Sequence, residues 1–125
     1  MPEKVRLREG LTKATLRCGD DLFNLIKEKL EEEIVLPRNE SVERTSSFLN
    51  ALANPIRLKI IHLLSQMEMP VCLIASLLGL EQSLVSHHLA ILRREGIVSI
   101  KIVGKYRFYS LNRSKLVNCI VDLIK

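Results

Sequence analysis

The chain has 125 residues, enough for one ordinary core and too few for two. With 47 % hydrophobic and 26 % charged residues it excludes a disordered polar chain, and a domain of this size buries roughly two-thirds of its unfolded surface. Nineteen Lys and Arg against fourteen Asp and Glu leave a net charge of +5.

The placement of that charge is more informative than its sum. Residues 1–40 hold eight basic and nine acidic side chains, residues 41–80 three and two, and residues 81–125 eight and three. The whole excess sits in the last third, as on a surface that faces a polyanion or as a solvated basic face. The cysteines, Cys18, Cys72 and Cys119, are odd in number and far apart, unlike a secreted disulfide framework, so a reducing cytoplasm is expected. No apolar run follows the charged start at Lys4 and Arg6, and no stretch of about 18 apolar residues occurs, so neither export nor a membrane span is expected.

Residues 1–19 are polar and aperiodic and read as an N-terminal arm, followed by a single domain over 20–125. Gly19-Asp20-Asp21 offers an N-cap, and Leu22, Phe23, Leu25, Ile26, Leu30 and Ile34 then recur at helical spacing until Pro37. That predicts a helix to about Leu36, although Glu31, Glu32 and Glu33 would crowd the unfavourable end of its dipole. A second helix, capped by Asn39 or Ser41, runs to about Ala53 with Val42, Thr45, Phe48, Leu49 and Leu52 on one stripe. Asn54-Pro55 breaks the chain and starts a third, with Ile56, Ile60, Ile61, Leu63 and Leu64, to about Gln66.

Pro70 suits the first turn of a short apolar helix that ends at Leu78 before Gly79, and a longer helix follows over 81–95. Two helices joined by a three- or four-residue turn containing Gly, here over 70–95, are the helix-turn-helix signature. After Gly96 the period changes to two: Val98, Ile100 and Ile102 alternate with Ser99, Lys101 and Val103, and Tyr106 and Phe108 with Lys105, Arg107 and Tyr109. With Gly104 between them these segments predict a β-hairpin with a basic tip over 97–110. A last helix spans 113–124, and the fold class is mainly α with one small hairpin.

At about 100° per residue, the longer helix puts Gln82, Ser83, Ser86, His87, Ala90, Arg93 and Arg94 on one side. Leu84, Val85, His88, Leu89, Ile91, Leu92 and Glu95 fall on the other. Short hydrogen-bonding side chains near the N-terminus suit a helix end pushed against base edges in a major groove, and the arginines lie where a phosphate backbone would pass. A polar solvent face is the plainer reading, and Arg93 has Glu95 as a candidate partner. His88 falls in the apolar arc as a packed, hydrogen-bonded core histidine, whereas His87 points outward.

The stretch from Ala51 to Tyr109 resembles the ArsR/SmtB family of small winged helix-turn-helix repressors. Ala51-Leu52-Ala53-Asn54-Pro55-Ile56-Arg57-Leu58, Ser83-Leu84-Val85-Ser86-His87-His88-Leu89-Ala90-Ile91-Leu92, Glu95-Gly96-Ile97-Val98 and Gly104-Lys105-Tyr106-Arg107-Phe108-Tyr109-Ser110-Leu111 carry it. The resemblance implies a homodimer built on the first and last helices, with Phe48, Leu49, Leu52, Leu116, Val117, Ile120, Leu123 and Ile124 as candidates for its interface. The residues themselves agree, because 113–124 is apolar nearly all round and so small a chain has little left to cover it. Two-fold symmetry then implies an inverted-repeat operator.

Many members of the family sense metals through a Cys-Val-Cys-Asp pattern, and the matching residues here are Pro70-Val71-Cys72-Leu73. Others bind zinc at positions that match Arg113 and Lys115, and that site is expected to be absent. Cys18 of one subunit reaching Cys72 of the other, as a metal or arsenical site or as a redox pair, is the remaining candidate, and two thiolates fall short of a soft-metal ligand set. No cofactor is expected.

The expectation is therefore a DNA-binding transcriptional repressor, with Gln82, Ser83, Ser86 and His87 facing bases and Arg93, Arg94, Lys101, Lys105 and Arg107 on phosphates or in the minor groove. A winged-helix module that serves protein interaction is the alternative. Nothing supports an enzyme: there is no P-loop, no Gly-rich dinucleotide fingerprint and no nucleophile poised beside a histidine. The effector is not legible.

Overall fold

The structure is a computed structural model and describes residues 3–10, 19 and 21–124. It divides into two compact units that meet between Val42 and Glu43, so the expected single domain over 20–125 is split well past its expected start.

In the first unit, β1 (Lys4–Arg6) pairs antiparallel with β2 (Glu33–Val35), Val5 lying opposite Ile34. Between them lie α1 (Leu22–Ile26) and one 3-10 turn over Lys27–Lys29. The helix expected to reach Leu36 therefore stops ten residues early, and residues 3–10 are not a loose arm. Two physical reasons combine. The carboxylates of Glu31, Glu32 and Glu33 oppose the negative end of a helix, and β-branched Ile34 and Val35 fit a strand better than a helix. The pairing also brings counter-charge, since Arg6 and Arg8 grip the two oxygens of Glu31 at 2.8 and 2.9 Å. The hydrogen bonds from Arg8 and then Arg6 hold the Glu31 carboxyl below its ordinary range. Asp21 makes no side-chain cap bond to α1.

Helix α2 (Asn39–Leu52) leads into the second unit, followed by α3 (Pro55–Leu64), β3 (Met69–Pro70), α4 (Val71–Leu78), α5 (Gln82–Arg94), β4 (Val98–Val103), β5 (Tyr106–Leu111) and α6 (Arg113–Ile124). Asn54 is extended, and its side-chain oxygen accepts from the backbone N–H of Ile56 at 2.9 Å and of Arg57 at 3.1 Å, while Pro55 occupies a first-turn position that has no donor to lose. Gly79 ends α4 in the left-handed region, φ 65°, which lets Leu80 N–H donate back to Ala75 O at 3.0 Å and turns the chain into α5.

The strands form one sheet in the order β3-β5-β4. The two-residue β3, with Met69 opposite Tyr109 and Pro70 opposite Phe108, was not anticipated from the sequence. It is an edge strand, where a proline without an N–H is tolerated. The core gathers Ile60, Ile74, Val85, Leu89, Leu92 and Ile97, all fully buried. Phe48, expected at a dimer surface, belongs instead to this core at 4 % exposure, because α2 turns that residue and Ala51 inward together. Leu52 and Leu116 are half-buried against the same cluster, while Leu49, Val117, Ile120, Leu123 and Ile124 are exposed.

Candidate nucleic-acid interface

Helix α5 is anchored by Val85, His88, Leu89 and Leu92, which are buried along one side. Their spacing leaves Gln82, Ser83, Ser86, His87, Ala90, Arg93 and Arg94 exposed together on the other, as the helical wheel predicts. Leu84, assigned by the wheel to the apolar arc, is partly exposed at 37 % and marks its border. The helix begins at Gln82 after an extended Glu81, which makes no side-chain cap bond. The first backbone N–H groups are thus left without a side-chain acceptor at the end that carries Gln82, Ser83 and Ser86.

The hairpin turns on Gly104-Lys105. Gly104 has φ 60° and takes the first central position, the place where a II′ turn needs glycine. The register places Ile102 opposite Arg107 and Lys101 opposite Phe108, so Lys101 and Arg107 project from opposite faces of the wing. Lys105 sits at the tip with its ammonium 5.3 Å from the centre of the Tyr106 ring, a cation-π contact that steadies a side chain otherwise in solvent.

The cations differ in their freedom. Lys101 Nζ lies 3.8 Å from Glu68 Oε2. Arg93, Arg94, Lys105 and Arg107 have no carboxylate partner among the described residues. Four exposed positive groups are therefore available to phosphates, two at the C-terminal end of α5 and two on the wing.

Sequence reasoning placed His88 in the core, and it lies there at 7 % exposure, but its partner was missed. Arg57, two residues after Pro55 and half-buried, brings Nη1 to 3.1 Å from His88 Nδ1. Burial first, then the charges of Arg57 and His87, push the His88 pKa below its ordinary value, so the ring is neutral at neutral pH. No local pattern announces a pair 31 residues apart, so only the fold reveals it.

Cys72 is exposed on α4, Cys119 is half-buried against the core, and Cys18 lies outside the described residues. Among the described residues no three His, Cys, Asp or Glu side chains gather in a way that could hold a metal ion, and no helix is long and apolar enough to cross a membrane. Arg113, at a position where some members of the resembling family carry a zinc ligand, donates to Ser65 O.

A helix-turn-helix whose second helix shows a polar, cation-ended face, followed by a hairpin with a basic tip, defines a winged helix-turn-helix DNA-binding protein. The profile of bacterial regulatory proteins of the arsR family matches residues 54–99. The chain is 31 % identical over 101 residues to the transcriptional repressor SmtB homolog of a Synechocystis strain, covering 81 % of this chain and 76 % of that one. NolR from Sinorhizobium fredii is similar in structure, with a TM-score of 0.60 and 34 % identity over 70 % of this chain and 92 % of that one. So is the homodimeric winged helix-turn-helix DNA-binding domain of Mb0332 from Mycobacterium bovis, with a TM-score of 0.58 and 26 % identity over 66 % of this chain and 78 % of that one. The protein belongs to the ArsR family; it is a DNA-binding transcription regulator and not an enzyme.

Proposed function

We propose that the protein is a cytoplasmic homodimeric repressor that reads an inverted-repeat operator. The N-terminal half of α5 enters the major groove, where Gln82, Ser83, Ser86 and His87 meet base edges. Arg93 and Arg94 follow the phosphate backbone, and the wing brings Lys105 and Arg107 to the flanking phosphates or minor groove, with Lys101, on the face opposite Arg107, joining them by exchanging Glu68 for a phosphate. One observation carries this reading: four buried side chains on one side of α5 turn that side inward, so that the short polar residues and both arginines share the exposed side. Two such helices related by a two-fold axis would reach successive major-groove faces about one helical turn apart.

The test is an anisotropy titration of the duplex upstream of the protein's own gene against a scrambled duplex, with reduced protein at two salt concentrations, with and without Zn²⁺ or arsenite. Tight, salt-dependent and sequence-dependent binding supports the reading. Equal affinity for both duplexes removes the operator from it, and no binding even at low salt makes the fold an interaction module. Release by either ligand would bring in Cys72 as a thiolate ligand; indifference to both would leave the trigger elsewhere.

A further inference from the structure

The guanidinium of Arg57 is the meeting point of three helices. Its Nε donates to Ala51 O and its Nη2 to Asn50 O at 3.3 Å, both carbonyls in the last turn of α2, where backbone acceptors lack helical partners and a cation is favoured. Its own backbone N–H is fixed by the Asn54 cap at the start of α3. Its third contact, Nη1 to His88 Nδ1 at 3.1 Å, reaches the middle of α5.

Arginine has only donors, so Nδ1 of His88 must present its lone pair, which leaves the proton of the neutral ring on Nε2. His88 is the one buried polar side chain of the second unit's core among the described residues, flanked on the same helix by buried Val85, Leu89 and Leu92. Apolar contacts alone would allow α5 to roll by some degrees about its axis. A directed bond between a clamped, planar guanidinium and a buried ring nitrogen does not.

We propose that Arg57 and His88 are positioning residues for sequence reading: they lock the rotation of α5 against α2 and α3, and so fix the angle at which Gln82, Ser83 and Ser86 meet base edges. The inference rests on the reading that α5 enters the major groove. His88 itself faces away from DNA. Without the lock, base readout blurs and phosphate attraction stays intact, because Arg93, Arg94 and Lys105 are long and adapt.

The test uses the full chain. A preferred duplex is first selected with the wild type from a randomised library, and the ratio of its affinity to that of a scrambled duplex is then measured for wild type, His88→Leu and His88→Asn. Leucine fills the space without an acceptor, and the ratio is expected to fall by about tenfold or more while low-salt affinity for the scrambled duplex stays put. Asparagine places a carbonyl oxygen close to the site of Nδ1 and is expected to restore most of the ratio.

A wild-type ratio in His88→Leu, or an asparagine variant no better than the leucine one, overturns the positioning role while the groove reading stands. Failure of the wild type to select any sequence overturns both. Nitrogen-15 chemical shifts of the wild-type imidazoles add a measurement that no variant's folding can spoil. An unprotonated Nδ1 and protonated Nε2 at His88 are expected, and the opposite tautomer overturns the lock.

Discussion

The carboxylate of Glu95 takes the hydroxyl of Ser47, Oγ to Oε1 at 2.8 Å, in place of the guanidinium of Arg93 two residues before it. The bond ties the C-terminal end of α5 to α2, and among the described residues Glu95 forms no ion pair with the arginine. Arg93 and Arg94 stand exposed in the last turn of α5 without a carboxylate partner among the described residues.

Replacing either arginine with alanine is expected to weaken binding to selected and scrambled duplexes by a similar factor. It should lower the slope of log affinity against log salt by about 0.9 for each phosphate that the variant leaves unneutralised. Titrations at several salt concentrations check this. A variant that loses affinity for the selected duplex alone would mean that its arginine reads a base.

Ser86 and Gln82 should behave in the opposite way. They are exposed on the same side of α5 as the arginines but lie toward its N-terminal end, and neither carries charge. Ser86→Ala or Gln82→Ala is expected to cost about 1–3 kcal/mol of discrimination at one base position, with the salt slope unchanged. Competition with duplexes substituted one base pair at a time locates that position. Equal loss at every position would remove these side chains from base readout.

The second unit was legible from Asn54 onward because each of its elements carries a local signal: Pro55 after a capping Asn54, Gly79 and Gly104 at turns, and a period that changes after Gly96. The wheel of α5 was readable for the same reason, since burial there follows the helical period. The first unit was not readable. Its strands pair residues nearly thirty positions apart, and Leu22 to Ile34 happens to satisfy a helical period that Glu31 to Glu33 then defeats. Phe48 was misplaced because an apolar stripe records only that a surface is covered, and both a core and a partner chain can cover it.

The pH dependence of stability follows from His88. Its folded-state pKa lies below the unfolded value of about 6.5 because burial and the Arg57 charge disfavour the imidazolium. The unfolded chain therefore binds more protons in that window, and stability rises with pH there. The contribution is fully present above about 6.5 and is lost as pH falls toward the folded pKa. Thermal melts across this range should show the wild type losing stability on acidification and His88→Asn losing less. Parallel curves would mean that another group dominates. Glu31 has the same sign at lower pH, in the carboxylate range, and acts on the first unit.

Helix α6 has apolar residues on two sides. Leu116 and Cys119 pack inward against the core, while Val117, Ile120, Val121 and Ile124, at spacings of three and four, form an outward strip with exposures of 59, 53, 40 and 78 %. Such a strip in water implies a cover, and a second copy meeting it about a two-fold axis is the cover expected under the proposed reading of an inverted repeat. Ile120→Asp places a charge in the middle of the strip without touching the core. By sedimentation the wild type is expected at twice the chain mass and the variant at the chain mass, with an unchanged far-ultraviolet spectrum. Because each half-site contact then acts alone, affinity for the inverted repeat should fall by about a hundredfold or more, while affinity for an isolated half-site stays near that of the wild type. A wild type that sediments as a monomer would refute the dimer, and an Ile120→Asp dimer would move the interface away from α6.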